Sequence, residues 1–214
     1  MTVIRKQITT VLSIAYPIAT HIAIVNGRQD IAVLIFGLLA GLFFVNQRSQ
    51  SQNIRNDRMM MVFGIGLIVL TLYIISSKSA ESARFIIYLP PIFLLSFFLL
   101  VFAKTLFPER EPLITKISRM VFHDDRPGIE SYTRQLTWVW AYFLAFLLLE
   151  TIGLTFFAPL EVWSLFTNVL NYVFIILFFV LEFMYRFYRF GNRYSVSYCL
   201  KELAHLPFNQ IFKH

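Results

Sequence analysis

Residues 136–185 read LTWVWAYFLAFLLLETIGLTFFAPLEVWSLFTNVLNYVFIILFFVLEFMY, and this run decides the fold. Its only charged side chains are the carboxylates Glu150, Glu161 and Glu182. Two apolar blocks, 136–157 and 163–185, flank the turn Ala158-Pro159-Leu160-Glu161-Val162. A helix needs about 20 predominantly apolar residues to cross the hydrocarbon core of a bilayer, and each block supplies that length. The pair therefore predicts an antiparallel transmembrane hairpin.

Working outward, further apolar runs cover 8–25, 31–45, 59–75 and 85–107. The first is diluted by Thr9, Thr10, Ser13, Thr20 and His21, and the second is short, so these two could instead form a tight helical hairpin. Asn26-Gly27-Arg28-Gln29-Asp30 between them is a turn-rich linker. Arg5 and Lys6 precede the first run, but no small-x-small cleavage site follows, so it reads as a retained span rather than a signal peptide. The expectation is an all-α polytopic membrane helical bundle of about six transmembrane helices. It spans residues 1–190, with a basic cytoplasmic tail over 191–214.

Lysine and arginine orient it. The N-terminus, the 46–58 loop, the 104–134 loop and the tail hold 16 of the 19 basic residues; the three alternate connections hold 3. Cytoplasmic loops carry the excess of Lys and Arg, so both termini are expected in the cytoplasm. Composition agrees: the chain is 57% hydrophobic and only 14% charged, against about a quarter charged in soluble domains. The net charge of +7 sits at the ends of apolar runs, where membrane lipids explain it better than nucleic acid. The single cysteine, Cys199, excludes an intrachain disulfide.

Trp138, Trp140, Tyr142, Tyr185 and Tyr188 are placed as anchors at the cytoplasmic interface, with Trp163 and Tyr88 near the other. Gly37-x-x-x-Gly41 is a small-residue face that suits packing within the monomer or a homo-oligomer. Pro90-Pro91 and Pro17 are expected to bend their helices. In the 104–134 loop, Leu113, Ile114, Ile117, Met120 and Val121 recur at helical spacing with Lys116 and Arg119 beside them. That pattern predicts a short amphipathic helix on the inner leaflet, broken by Asp124-Asp125-Arg126-Pro127-Gly128. Lys116, Arg119, Arg126, Arg186 and Arg189 are the candidates for docking a partner or lipid headgroups. Glu182, four residues before Arg186, is expected to pair with it.

Ionisable and polar groups inside a membrane are costly and mark candidate sites. Glu150, Asn168, Asn171 and His21 all fall in the outer half of their spans. They read either as interhelical glue, or as a polar cavity in which Glu150 binds a proton or cation. His21, His123, His205 and His214 lack metal-ligand spacing, and neither a metal nor another cofactor is expected. The nucleophile elbow, phosphate loop and CxxC signatures are absent from the sequence, which favours a non-catalytic role.

Four stretches are distinctive: EPLITKISR from Glu111, YTRQLTWVW from Tyr132, APLEVWSLFTNVLNY from Ala158 and LEFMYR from Leu181. Over about residues 108–190 they resemble a family of small bacterial inner-membrane proteins encoded in aryl-polyene and xanthomonadin-type pigment gene clusters. Members are sometimes labelled ketosynthases, yet Cys199 on a membrane tail has no ketosynthase setting. The resemblance implies an accessory membrane protein of a polyketide-like or lipid-linked pigment pathway. Such a protein would hold synthesis enzymes or acyl carrier protein at the inner leaflet through the basic loop and tail. Two other readings are a small transporter or flippase component that relies on Glu150, and a membrane acyl or glycosyl transferase.

Overall fold

The structure, a computed structural model, describes residues 15–37, 73, 80–122 and 127–191, and every regular element among them is helical. In chain order these are α1 (Ala15–Val25), α2 (29–37), α3 (Ala80–Thr105), α4 (Leu113–Phe122), α5 (Ile129–Phe157) and α6 (Leu160–Phe190). Three helices are long and apolar enough to cross a membrane: Arg84–Thr105, Ile129–Phe157 and Leu160–Phe190. Their flanks carry exposed apolar side chains. Phe93, Phe156 and Phe157 are 73%, 76% and 91% exposed, a surface that suits lipid and is seldom left to water.

Of the expected first two spans, the described parts are helical and form the tight hairpin foreseen for them. Gly27 closes α1 with φ +70°. Its amide reaches Ile24 O at 2.9 Å, and the Arg28 amide reaches Ala23 O at 2.8 Å. This is the double bond pattern in which a left-handed glycine ends a helix. The Arg28 side chain then bonds Asp30 at 3.3 Å, which holds the Asp30 carboxyl below its ordinary pKa. Of the run 59–75 only Tyr73 is described, and it is helical. Gly41, Arg126, Cys199, His123 and the basic tail lie outside the described residues, whereas Gly37 is buried on α2.

Two helix starts differ from the sequence reading. The fifth span begins at Ile129 rather than 136, and the sixth runs from Leu160 to Phe190 rather than over 163–185. Polar residues such as Glu130, Arg134 and Gln135 hid the first extension, because hydropathy marks hydrocarbon and not helix. At about 1.5 Å per residue, the 29 residues of α5 reach about 44 Å, past a hydrocarbon core of about 30 Å. α3 continues through Pro90 and Pro91, which leaves two amides missing from its ladder.

The chain divides into two compact units, Met1–Pro91 with Thr151–Val173, and Ile92–Glu150 with Phe174–His214. The first unit is built around Trp163, wholly buried among Ile24, Val33, Ile86 and Leu160. Its indole meets the Tyr88 ring edge-on at 4.7 Å, and its Nε1 donates to Thr155 Oγ1 at 3.0 Å. The second unit is built around Trp140, whose ring lies 4.6 Å from Phe178 and 4.5 Å from Phe179. Phe143 and Phe178 stack beside it at 4.7 Å. Trp163 and Trp140 are therefore core residues and not interface anchors. Trp138 and Tyr142, one turn apart, stack at 5.6 Å on the outside of α5 and keep the surface position expected of them.

α4 is the amphipathic helix expected in the loop, but its seat is different. Leu113 is buried and Ile114 packs against the cluster of Ile129, Leu136 and Trp140, while Thr115 and Ser118 are turned inward and buried. The Leu113 amide donates to Thr105 Oγ1 at 3.0 Å and the Ile114 amide to Thr137 Oγ1 at 3.4 Å. Thr115 and Thr133 share a bond at 2.9 Å, and Arg186 donates to Ser118 Oγ at 3.3 Å. The first amides of a helix lack partners of their own; here threonines from α3 and α5 supply them. α4 is thus held on its own helices by hydroxyl contacts, which a hydrophobic-stripe reading does not detect.

Candidate functional site

The first unit gathers a buried polar chain around α6. The side chains of Ser164, Thr167, Asn168 and Asn171 recur at helical spacing and are all buried. A π turn over Phe166–Leu170 lies among them, closed by the Asn171 amide bonding Phe166 O. Such turns displace one residue from the regular ladder and occur frequently at functional positions.

Ser164 is the hub. Asn168 Nδ2 donates to its Oγ at 3.0 Å, and His21 Nδ1 lies 3.1 Å from the same oxygen. With Asn168 donating, the Ser164 proton can go to His21 Nδ1, which places the ring proton on Nε2. Further along, Asn171 Nδ2 donates to Thr151 Oγ1 at 3.4 Å. Thr155 donates to Thr151 O at 2.9 Å, and Thr167 to Trp163 O at 2.8 Å. Among the described residues no donor meets the buried Asn171 carbonyl oxygen Oδ1. An unmatched acceptor of this kind is expensive in an apolar interior.

Three of the four polar residues that the sequence singled out, His21, Asn168 and Asn171, thus belong to this unit, and the first two are joined through Ser164. Glu150 belongs to the second unit, where it is half-buried on α5. Sequence reading missed Ser164, Thr167, Thr151 and Thr155. Their i, i+3 and i, i+4 spacing on α5 and α6 was the available signal, since it places the hydroxyls on one face.

A serine and a histidine at this distance have the elements of a nucleophile and its base. Ser164 is 0% exposed, however, and its oxygen already accepts from Asn168, so the pair acts as a fixed polar bridge. Among the described residues no group of three His, Cys, Asp or Glu could hold a metal ion. Ser164→Ala should cost about 1–2 kcal/mol by leaving two polar groups unmatched, more than the average interhelical bond in a membrane of about 0.6 kcal/mol. A double-mutant cycle with His21→Ala in detergent unfolding checks it; strict additivity would remove Ser164 from its place as hub.

Of the basic docking candidates, the described ones, Lys116, Arg119, Arg186 and Arg189, belong to the second unit. Arg119 reaches Glu111 at 3.1 Å and Glu130 at 3.9 Å, so two carboxylates offset its charge. Tyr132 Oη donates to Glu182 at 3.2 Å, and Arg189 donates to Tyr185 Oη at 3.0 Å. A scan against protein-family models, a search of curated proteins and a search of solved structures each found no match.

Proposed function

We propose that this chain is a non-catalytic accessory protein of a bacterial inner membrane, serving a polyketide-like or lipid-linked pigment pathway of the aryl-polyene type. It spans the membrane several times with both termini in the cytoplasm, and it docks acyl carrier protein or synthesis enzymes at the inner leaflet. The observation that supports docking is the way α4 is clamped to α3, α5 and α6 by Thr105, Thr137, Thr133 and Arg186. A loop helix fixed in this manner holds Lys116, and Arg119 with its partners Glu111 and Glu130, on a rigid base, and rigid elements make more precise interfaces than free loops. Acyl carrier proteins are acidic, so complementary charge would favour their encounter with this side. Alanine at Lys116, Arg119 and Arg126 together should reduce recovery of pathway proteins in a pull-down from membranes by several-fold. Unchanged recovery would count against docking.

A second reading is favoured by the buried polar chain and by the unmatched Asn171 Oδ1. An acceptor held inside a spanning segment suits a ligand that brings a hydroxyl or a cation, as a small transporter or flippase component would require. On this reading Glu150, half-buried on α5 in the second unit, is the key carboxylate. Glu150→Gln should then stop export of a lipid-linked product while the product accumulates inside the cell. Normal export would remove Glu150 from the mechanism.

A further inference from the structure

A groove of about 290 Å³ opens between α5 and α6 in the second unit. Its walls change character along its length. At one end stand Arg189, Tyr185, Glu182 and Gln135; towards the middle of the helices stand Val139, Leu181 and Phe178. Arg189 and Phe178 are eleven residues apart, about 16 Å along a helix. On the membrane reading of these two helices, which are longer than a hydrocarbon core of about 30 Å, the polar end lies at headgroup depth and the apolar end below it. Val139 and Leu181 are 48% and 55% exposed, so the apolar part of the groove opens sideways.

The charge at the polar end is held in place by aromatic neighbours. The Arg189 guanidinium donates to Tyr185 Oη at 3.0 Å and lies 6.0 Å from the Tyr132 ring and 5.4 Å from the Phe190 ring. Aromatic faces order an arginine while leaving most of its donors free. Among the described residues no carboxylate lies within ion-pair distance of Arg189, in contrast to Arg119 with its two. Glu182, the groove's own carboxylate, accepts the Tyr132 hydroxyl at 3.2 Å.

We propose that this groove is a binding seat for one anionic phospholipid, its phosphate on Arg189 and Gln135 and one acyl chain along Val139, Leu181 and Phe178. A guanidinium fork matches a phosphate with paired bonds. A phospholipid is the molecule that combines an anion at headgroup depth with an apolar chain below it, and basic pockets between spanning helices favour anionic headgroups. The inference rests on the membrane reading of the three long helices and not on the pathway.

The test is native mass spectrometry of the full chain in detergent, exchanged with equimolar phosphatidylglycerol and phosphatidylethanolamine. The wild type should retain phosphatidylglycerol in preference. Arg189→Gln should reduce that preference about five-fold, the weight of one basic residue at a membrane surface. Val139→Trp, which fills the groove without altering charge, should reduce retention of both lipids. Arg28→Gln, which removes an exposed cation of the first unit that is paired with Asp30 at 3.3 Å, should leave the preference unchanged. Wild-type preference in Arg189→Gln, or an equal loss in Arg28→Gln, would overturn a defined seat in favour of diffuse attraction or none.

Discussion

Trp163→Ala will destabilise the protein by about 3–5 kcal/mol, the range for emptying a buried tryptophan site. The mechanism differs from that in a soluble core. Lipid tails are as apolar as the side chains they replace, so spanning helices are held by close packing and by hydrogen bonds. Trp163 supplies both. It is 0% exposed, touches α1, α2 and α3 residues in one cluster, and carries a bond to Thr155. Deletion leaves a void that dispersion contacts no longer fill and takes the indole bond from Thr155. Trp163→Phe separates the two parts, because it keeps most of the volume and loses the donor. It should recover most of the loss and leave about 1 kcal/mol missing. Detergent unfolding of the purified protein measures both, and equal losses for the two variants would show that the hydrogen bond dominates.

Trp140→Ala should cost a similar amount, about 3–5 kcal/mol, through lost aromatic and aliphatic packing. Its ring lies within 6.0 Å of Phe102, Phe143, Phe178 and Phe179, and pairs of this geometry add about 0.5–1.5 kcal/mol beyond their area. The exposed neighbour Trp138 is the control: Trp138→Ala should change stability by under about 0.5 kcal/mol. A comparable loss at Trp138 would mean that α5 is rotated from the face described.

These two tryptophans also mark how far the sequence could be read. Hydropathy located α3, α5 and α6, because an apolar stretch of spanning length is a one-dimensional signal. The turn over residues 26–30 was legible for a similar reason, since its residues are adjacent in the chain; the left-handed conformation of Gly27 came from the structure. Which side of α5 faces inward was not, as Trp138 and Trp140 look alike in composition and only packing separates them. The seat of α4 was hidden for another reason. Thr105, Thr115, Thr133 and Thr137 are unremarkable singly and acquire meaning when helices far apart in sequence bring them together. His21 and Asn168 were found because polar side chains in apolar runs are conspicuous; Ser164, which joins them, is small enough to pass as helix-packing filler.

The side of the membrane that each end of α5 and α6 faces fixes the topology of the helix pair. In a Cys199→Ser background, single cysteines at Ser131→Cys and Glu161→Cys, both exposed in the structure, can be labelled on intact bacterial cells with a membrane-impermeant maleimide. The alternating bias of 16 to 3 basic residues predicts that Glu161→Cys is labelled before lysis and Ser131→Cys only after it. The reverse pattern would invert the topology, and labelling of both before lysis would contradict a helix pair that crosses the membrane.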